Sequence, residues 1–195
     1  AGVETRGGIK RLLQARELAL PGSHNLANAL AAALAAHSSG LRPEAVLDSL
    51  RSFGGVPHRL ETVRVLEGVL YVNDSKATNV NAVWHALNSF QDPIVLVMGG
   101  RDKGNRYEEL DPLLHANVRA VVAIGESSQT IVRHVRGRVG EVRTADSMEE
   151  AVSTARRLAE PGDVVLLSPA CASFDMYAGY EERGEAFRRI VNRLR

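Results

Sequence analysis

The chain has a single cysteine, Cys171, among its 195 residues. A lone thiol excludes an internal disulfide and a cysteine-built zinc site, and it points to a reducing, cytoplasmic setting. Aromatic residues are scarce at 5%, and neither sign of charge dominates: 24 Lys and Arg stand against 23 Asp and Glu. Such a balance lacks the basic footprint of a nucleic-acid binder or a membrane-surface helix, so the expected partner is a small molecule. No apolar run approaches the roughly 18 residues of a membrane span, and no charged segment followed by an apolar one marks a secretory leader. The six histidines, at 24, 37, 58, 85, 115 and 134, show no His-Glu-x-x-His or other ligand spacing, which leaves a His-built metal site without support. Also missing are the phosphate loop G-x-x-x-x-G-K-[ST] and the dinucleotide signature G-x-G-x-x-G. These residues alone do not cradle a triphosphate in the usual way.

With 45% hydrophobic and 24% charged residues, the composition is that of an ordinary globular protein. The chain opens Ala1-Gly2-Val3 without an initiator Met and reads as a piece of a longer protein, with Gly7-Gly8 as a loop or strand end. Residues 24–37 are rich in alanine, the strongest helix former, with Ser23 as N-cap and Gly40 beyond the end. A second helix starts at Pro43, a residue suited to the first helical position, and runs to about Ser52. The stretch Gly54-Gly55-Val56-Pro57-His58-Arg59 has the composition of a hinge, so a boundary is expected near residue 56, separating 1–55 from 56–195.

Beyond that point the apolar runs Val69–Val72, Ile94–Met98, Val118–Ile124 and Val164–Leu167 read as strands, the last three continuous enough for parallel strands covered on both faces. Between and after them, Val80, Val83, Trp84 and Leu87, and then Phe187, Ile190, Val191 and Leu194, fall at helical spacing as core stripes. Alternation of this kind implies right-handed crossovers and an α/β fold with a doubly wound, mostly parallel sheet.

In such a sheet ligands bind outside the carboxyl ends of the strands. Three loops there carry unusual chemistry. Asn73-Asp74-Ser75-Lys76-Ala77-Thr78-Asn79 puts a carboxylate, an ammonium and hydroxyls beside a helix N-terminus, where free N–H groups favour an anion. The plainer alternative is that Thr78 or Asn79 caps the helix while Asp74 pairs with Lys76 in solvent. Gly99-Gly100-Arg101-Asp102-Lys103-Gly104 combines backbone freedom with a mobile point charge at Lys103, or forms a simple surface turn. In Ser168–Asp175, Cys171 has no histidine beside it in the loop and reads as a small buried residue, leaving Ser173 as the functional candidate.

The motifs His24-Asn25-Leu26-Ala27-Asn28, Pro57-His58-Arg59, Asn73–Asn79, Gly99–Lys103 and Leu167–Ser173 with Arg183-Gly184 together resemble the Mur ligases, and within them the D-glutamate-adding enzymes. The resemblance implies a Rossmann-like C-terminal ligase domain over 56–195, preceded by the tail of a central ATP-binding domain over 1–55. It implies that Asn25 and Asn28 contact adenine, that Arg59 and Asp74 bind the nucleotide, and that Lys76 lies on the phosphate side. Thr78, Lys103, Ser173 and Phe174 match positions that hold D-glutamate, and Tyr180 stands where the family often has phenylalanine. Lys103 and Arg59 are the expected catalytic charges. The implied reaction is ATP-dependent amide formation between D-glutamate and UDP-N-acetylmuramoyl-L-alanine through an acyl phosphate, a step of peptidoglycan synthesis, with Mg2+ held by ligands outside this chain. A piece without the phosphate loop is expected to be inactive alone. Two alternatives stand beside this: another Mur or folylpolyglutamate-type ligase, and a non-catalytic nucleotide- or small-molecule-binding module.

Overall fold

The computed structural model of the protein describes residues 2–5, 8–11, 14–19 and 23–195. Ala1, Gly7 and the side chains of Ser23 and His24, which carry the expected chain start, loop, cap and motif histidine, lie outside the described residues. Two compact units result, Ala1–Val56 and Pro57–Arg195.

In the first unit, β1 (Gly2–Thr5) and β2 (Gly8–Arg11) pair antiparallel. Then come α1 (Ser23–Ser38) and α2 (Pro43–Ser52), matching the helices expected from alanine content and from Pro43. Gly40 ends the first with φ 79, a left-handed conformation that costs glycine little. Arg42 is extended and Pro43 opens α2 at its first turn. Large apolar side chains remain exposed here, among them Leu34, Leu41 and Phe53.

The second unit begins with a hairpin of β3 (Glu61–Leu66) and β4 (Val69–Asn73), closed by Glu67-Gly68, both at positive φ (53 and 80). Two consecutive positive-φ residues match the right-handed twist of the strands they join. There follow α3 (Val80–Leu87), β5 (Ile94–Gly99), α4 (Asp111–Asn117), β6 (Val118–Ile124), α5 (Ser128–Val135), β7 (Glu141–Ala145), α6 (Met148–Leu158), β8 (Val164–Leu167) and α7 (Tyr180–Arg193). The six strands run β3-β4-β8-β5-β6-β7, with β3 antiparallel to β4 and the other pairs parallel. The four strands expected from apolar runs are all present, and β4 and β5 each extend one residue further.

Alternation along β5 builds two cores. Ile94, Leu96 and Met98 join a cluster with Val80, Val83 and Leu87 of α3, Leu114 of α4 and Ile131 of α5. Val95 and Val97 join the opposite cluster with Ala151, Val152 and Ala155 of α6 and Phe187 of α7. Helices thus cover both faces, as a doubly wound sheet requires. Trp84 corrects an expectation: it is not core but 40% exposed, edge-on to His85 at 5.0 Å between ring centroids. Val83, Ala86 and Leu87 fill the buried face of α3, leaving the indole outside it.

Candidate functional site

β4, β8 and β5 are parallel neighbours, and Leu167 at the end of β8 stands level with Asn73 on one side and Val97 on the other. Their outgoing loops, residues 73–79, 99–104 and 168–175, therefore leave the sheet side by side. Backbone bonds join them: Asp74 N–H donates to Leu167 O at 2.8 Å, Gly99 N–H to Pro169 O at 2.9 Å, and Arg101 N–H to Ala172 O at 2.8 Å. The last contact needs Gly100, and the close approach to β6 beside it needs Gly99. Gly99 and Gly100 both have φ 131, and a Cβ would meet Ile124 O at 1.9 Å and Ala172 O at 2.2 Å respectively.

One side chain ties all three loops together. Arg183, on α7, is only 2% exposed. Its Nε donates to Ser75 Oγ at 3.1 Å and its Nη2 to Ser75 O at 2.9 Å, while Nη1 donates to Cys171 O at 3.1 Å and more weakly to Gly99 O at 3.5 Å. Burial pulls its pKa down to about 10, which still leaves it charged at neutral pH. Its donors are satisfied by carbonyl and hydroxyl oxygens, so the positive charge beneath the rim is available to an anion above it.

The Pro-His-Arg turn sits against the same helix. His58 and Leu60 adopt left-handed backbone (φ 64 and 44) on either side of Arg59. The buried imidazole of His58 places Nδ1 3.0 Å from Asn73 Nδ2, so Nδ1 accepts and the ring proton belongs on Nε2. Asn73 Nδ2 also faces Glu61 Oε2 at 3.0 Å and Gly184 O at 3.3 Å, and His58 N–H donates to Glu61 Oε2 at 2.9 Å. Gly184 is what admits the ring: a Cβ there would lie 2.2 Å from His58 Nδ1. Arg59 itself is exposed.

Asp74 departs from the solvent ion pair considered for it. It is buried, its Oδ1 accepting from Leu60 N–H at 3.2 Å and its Oδ2 from Ser168 Oγ at 2.9 Å. Burial raises its pKa to about 7, while the two hydrogen bonds and the nearby Arg59 charge work in the other direction. Lys76 instead meets Tyr180, its Nζ 2.7 Å from Oη and 4.2 Å from the ring centroid. Asn79, not Thr78, caps α3 by accepting from Ala82 N–H at 2.9 Å, which leaves the half-buried Thr78 hydroxyl out of the cap.

Lys103 is exposed on a turn folded by Asp102, whose Oδ1 accepts from the N–H groups of Gly104 (2.7 Å) and Asn105 (2.8 Å) and whose Oδ2 accepts from Tyr107 Oη at 2.9 Å. Ser173 is buried at the opposite loop and Phe174 beside it is 60% exposed. Cys171 is a buried thiol in contact with Tyr107 Oη (3.3 Å) and Ser127 Oγ (3.4 Å), and burial raises its pKa, so it packs as expected and is no activated nucleophile. Asn25 is half-buried and Asn28 exposed, both on α1 of the first unit. Arg59, Asp74, Lys76, Thr78, Lys103, Ser173, Phe174 and Tyr180 all belong to the second unit and border its three loops.

Sequence reasoning missed the roles of Arg183, Asn73, His58 and Glu61. A signal for two of them was present, since a glycine inside a helical stripe, as in Arg183-Gly184, costs about 1 kcal/mol and implies a close approach.

Residues 58–171 match the family model described as Mur ligase, glutamate ligase domain. The chain belongs to the Mur ligase family. Among curated relatives, the UDP-N-acetylmuramoylalanine--D-glutamate ligase of Salinibacter ruber is 57% identical over 183 residues, covering 94% of this chain and 40% of that protein. The protein of the same name from Chloroherpeton thalassium is 51% identical over 173 residues, covering 89% and 37%. This Mur ligase chain thus spans about two fifths of the length of the relatives it matches. Solved structures share its fold: MurF from Acinetobacter baumannii superposes with a TM-score of 0.70 at 19% identity over 96% of this chain and 42% of its own. A folylpolyglutamate synthase from Mycobacterium tuberculosis, complexed with ADP, gives 0.67 at 21% identity over 97% and 44%.

Proposed function

We propose that this Mur ligase chain is the C-terminal part of the ADP-forming enzyme that joins D-glutamate to UDP-N-acetylmuramoyl-L-alanine. In this reading residues 1–55 are the tail of the central ATP-binding domain and residues 56–195 the ligase domain, working in the cytoplasm. The carboxylate of the L-alanyl group attacks the γ-phosphorus of ATP and ADP leaves. The D-glutamate amine then attacks the acyl carbon, inorganic phosphate leaves, and the amide remains.

The observation that carries the reading is the meeting of the Asn73–Asn79, Gly99–Gly104 and Ser168–Asp175 loops on adjacent strands around buried Arg183. A dicarboxylic amino acid needs positive charge and hydroxyl donors at fixed spacing. Lys103, Thr78 and Ser173 supply them, with Arg183 adding charge from below. Phe174 and the ring of Tyr180 provide apolar contact. This reading assigns Asn25 and Asn28 to the adenine, Arg59 and Asp74 to the nucleotide, and Lys76 to its phosphate side. Arg59 and Lys103 offset the charge that develops at the phosphate and acyl oxygens.

Magnesium would neutralise phosphate charge when bound. In this reading its ligands lie outside this chain, and among the described residues no group of three His, Cys, Asp or Glu could hold a metal ion. The chain without a phosphate loop is inactive alone.

The test is phosphate release by the full-length enzyme supplied with ATP, UDP-N-acetylmuramoyl-L-alanine and a panel of amino acids. Release only with D-glutamate, together with a D-glutamate KM raised about 10- to 100-fold in Lys103→Ala at unchanged ATP KM, supports the reading. Release with a different amino acid or with a folyl substrate points to another ligase of the family, and binding of nucleotide without release points to a non-catalytic module.

A further inference from the structure

Tyr180 is held at each of its parts. Its carbonyl accepts from Ser75 Oγ at 2.7 Å, its ring stands edge-on to the His58 imidazole at 6.0 Å between centroids, and its hydroxyl meets Lys76 Nζ at 2.7 Å. The ammonium also lies 4.2 Å from the ring centroid. Tyr180 Oη accepts from the ammonium, since an ammonium has only donors.

We propose that Tyr180 is a positioning residue which, through its hydroxyl, sets where the Lys76 ammonium stands on the rim. This rests on the reading of Lys76 as a phosphate-side cation. A lysine is a point charge on a flexible stem, and holding it in one place costs side-chain entropy when nothing else restrains it. The phenol removes that freedom before the nucleotide arrives. A phenylalanine at this position keeps the ring and the cation–π contact and loses the hydrogen bond.

The experiment is a double-mutant cycle in the full-length enzyme with Tyr180→Phe, Lys76→Ala and the pair, following kcat and the KM values for ATP and D-glutamate separately. Tyr180→Phe is expected to lower kcat/KM for ATP about tenfold, the worth of one charge-assisted hydrogen bond, and to leave the D-glutamate KM within about twofold because the ring remains. In the Lys76→Ala background the same change is expected to have no further effect. Additive losses, or a Tyr180→Phe enzyme with unaltered ATP kinetics, overturn the proposal. A loss confined to D-glutamate KM overturns it too, assigning the hydroxyl to the amino acid. An unmutated enzyme that forms no D-glutamyl amide would instead reject the functional reading, and this inference with it.

Discussion

Arg183 grips Ser75 twice, its Nη2 donating to the carbonyl oxygen at 2.9 Å and its Nε to Oγ at 3.1 Å. The same guanidinium reaches Cys171 O on the neighbouring loop, so one planar group sets the spacing between two loops that are 96 residues apart in sequence, from Ser75 to Cys171. Lysine cannot do this, because a single ammonium on a flexible stem lacks the fork. Arg183→Lys is expected to lower stability by roughly 2–4 kcal/mol through carbonyls left unpaired in a buried place. A thermal melt decides it: a melting temperature equal to that of the unmutated protein would remove Arg183 from its place as the staple of the rim.

Gly184→Ala tests the adjoining contact. A methyl group there would sit 2.2 Å from His58 Nδ1, and the listener to that clash is a side chain already committed to Asn73. The ring must swing out and release Asn73 Nδ2, which moves the Pro57-His58-Arg59 turn. The expected result is a loss of about 1–3 kcal/mol and a weaker ATP dependence in the full-length enzyme. If Gly184→Ala,His58→Ala is no more stable than Gly184→Ala alone, the clash is not the cause.

Asp74 makes a pH-dependent contribution whose sign follows from burial. Its folded pKa of about 7 lies above the roughly 3.9 of an unfolded aspartate, so its stabilising contribution is complete below about pH 4 and disappears as pH rises through 7. Asp74→Asn keeps an acceptor for Leu60 N–H and sets an amide N–H2 where Oδ2 accepted from Ser168 Oγ, a hydroxyl that can turn to accept, without ever ionising. Its melting temperature relative to the unmutated protein is therefore expected to climb between pH 5 and pH 8. A difference that stays flat across this range would mean that Asp74 is ionised throughout.

Cys171 offers a fourth check. Buried and carrying a raised pKa, the thiol is expected to resist iodoacetamide in the native protein and to react at the rate of an ordinary cysteine in urea. Rapid native alkylation that also abolished activity would restore the nucleophile reading.

The strands that were legible in the sequence are those covered on both faces, where β5, β6 and β8 present nearly unbroken valine, leucine and isoleucine. β3 and β7, which the apolar pattern did not reveal, are the two edges of the sheet. Edge strands carry charge to discourage pairing with other chains, and Glu61 and Arg64 on β3 and Glu141 and Arg143 on β7 erase the hydrophobic signal for that reason. Trp84 was misjudged because a helical stripe has margins, and at i+4 from Val80 the indole falls on one. The rim loops were legible by composition. Their binding together was not, since Arg183 arrives from the last helix and its partners are mostly backbone oxygens, which no residue pattern records.

The position of β8 between β4 and β5 has a consequence for biosynthesis. A nascent chain that has emerged only as far as Asp163 holds two parallel strands, β4 and β5, with a one-strand gap between them and no ladder linking their backbones. The gap is filled by Val164–Leu167, and Arg183 follows sixteen residues after Leu167. Long-range insertion of this kind slows folding and leaves strand edges open in the interval, which makes the interval the time when a chaperone is most useful. The three rim loops of this domain are thus joined only once β8 and the Arg183 helix have both been made.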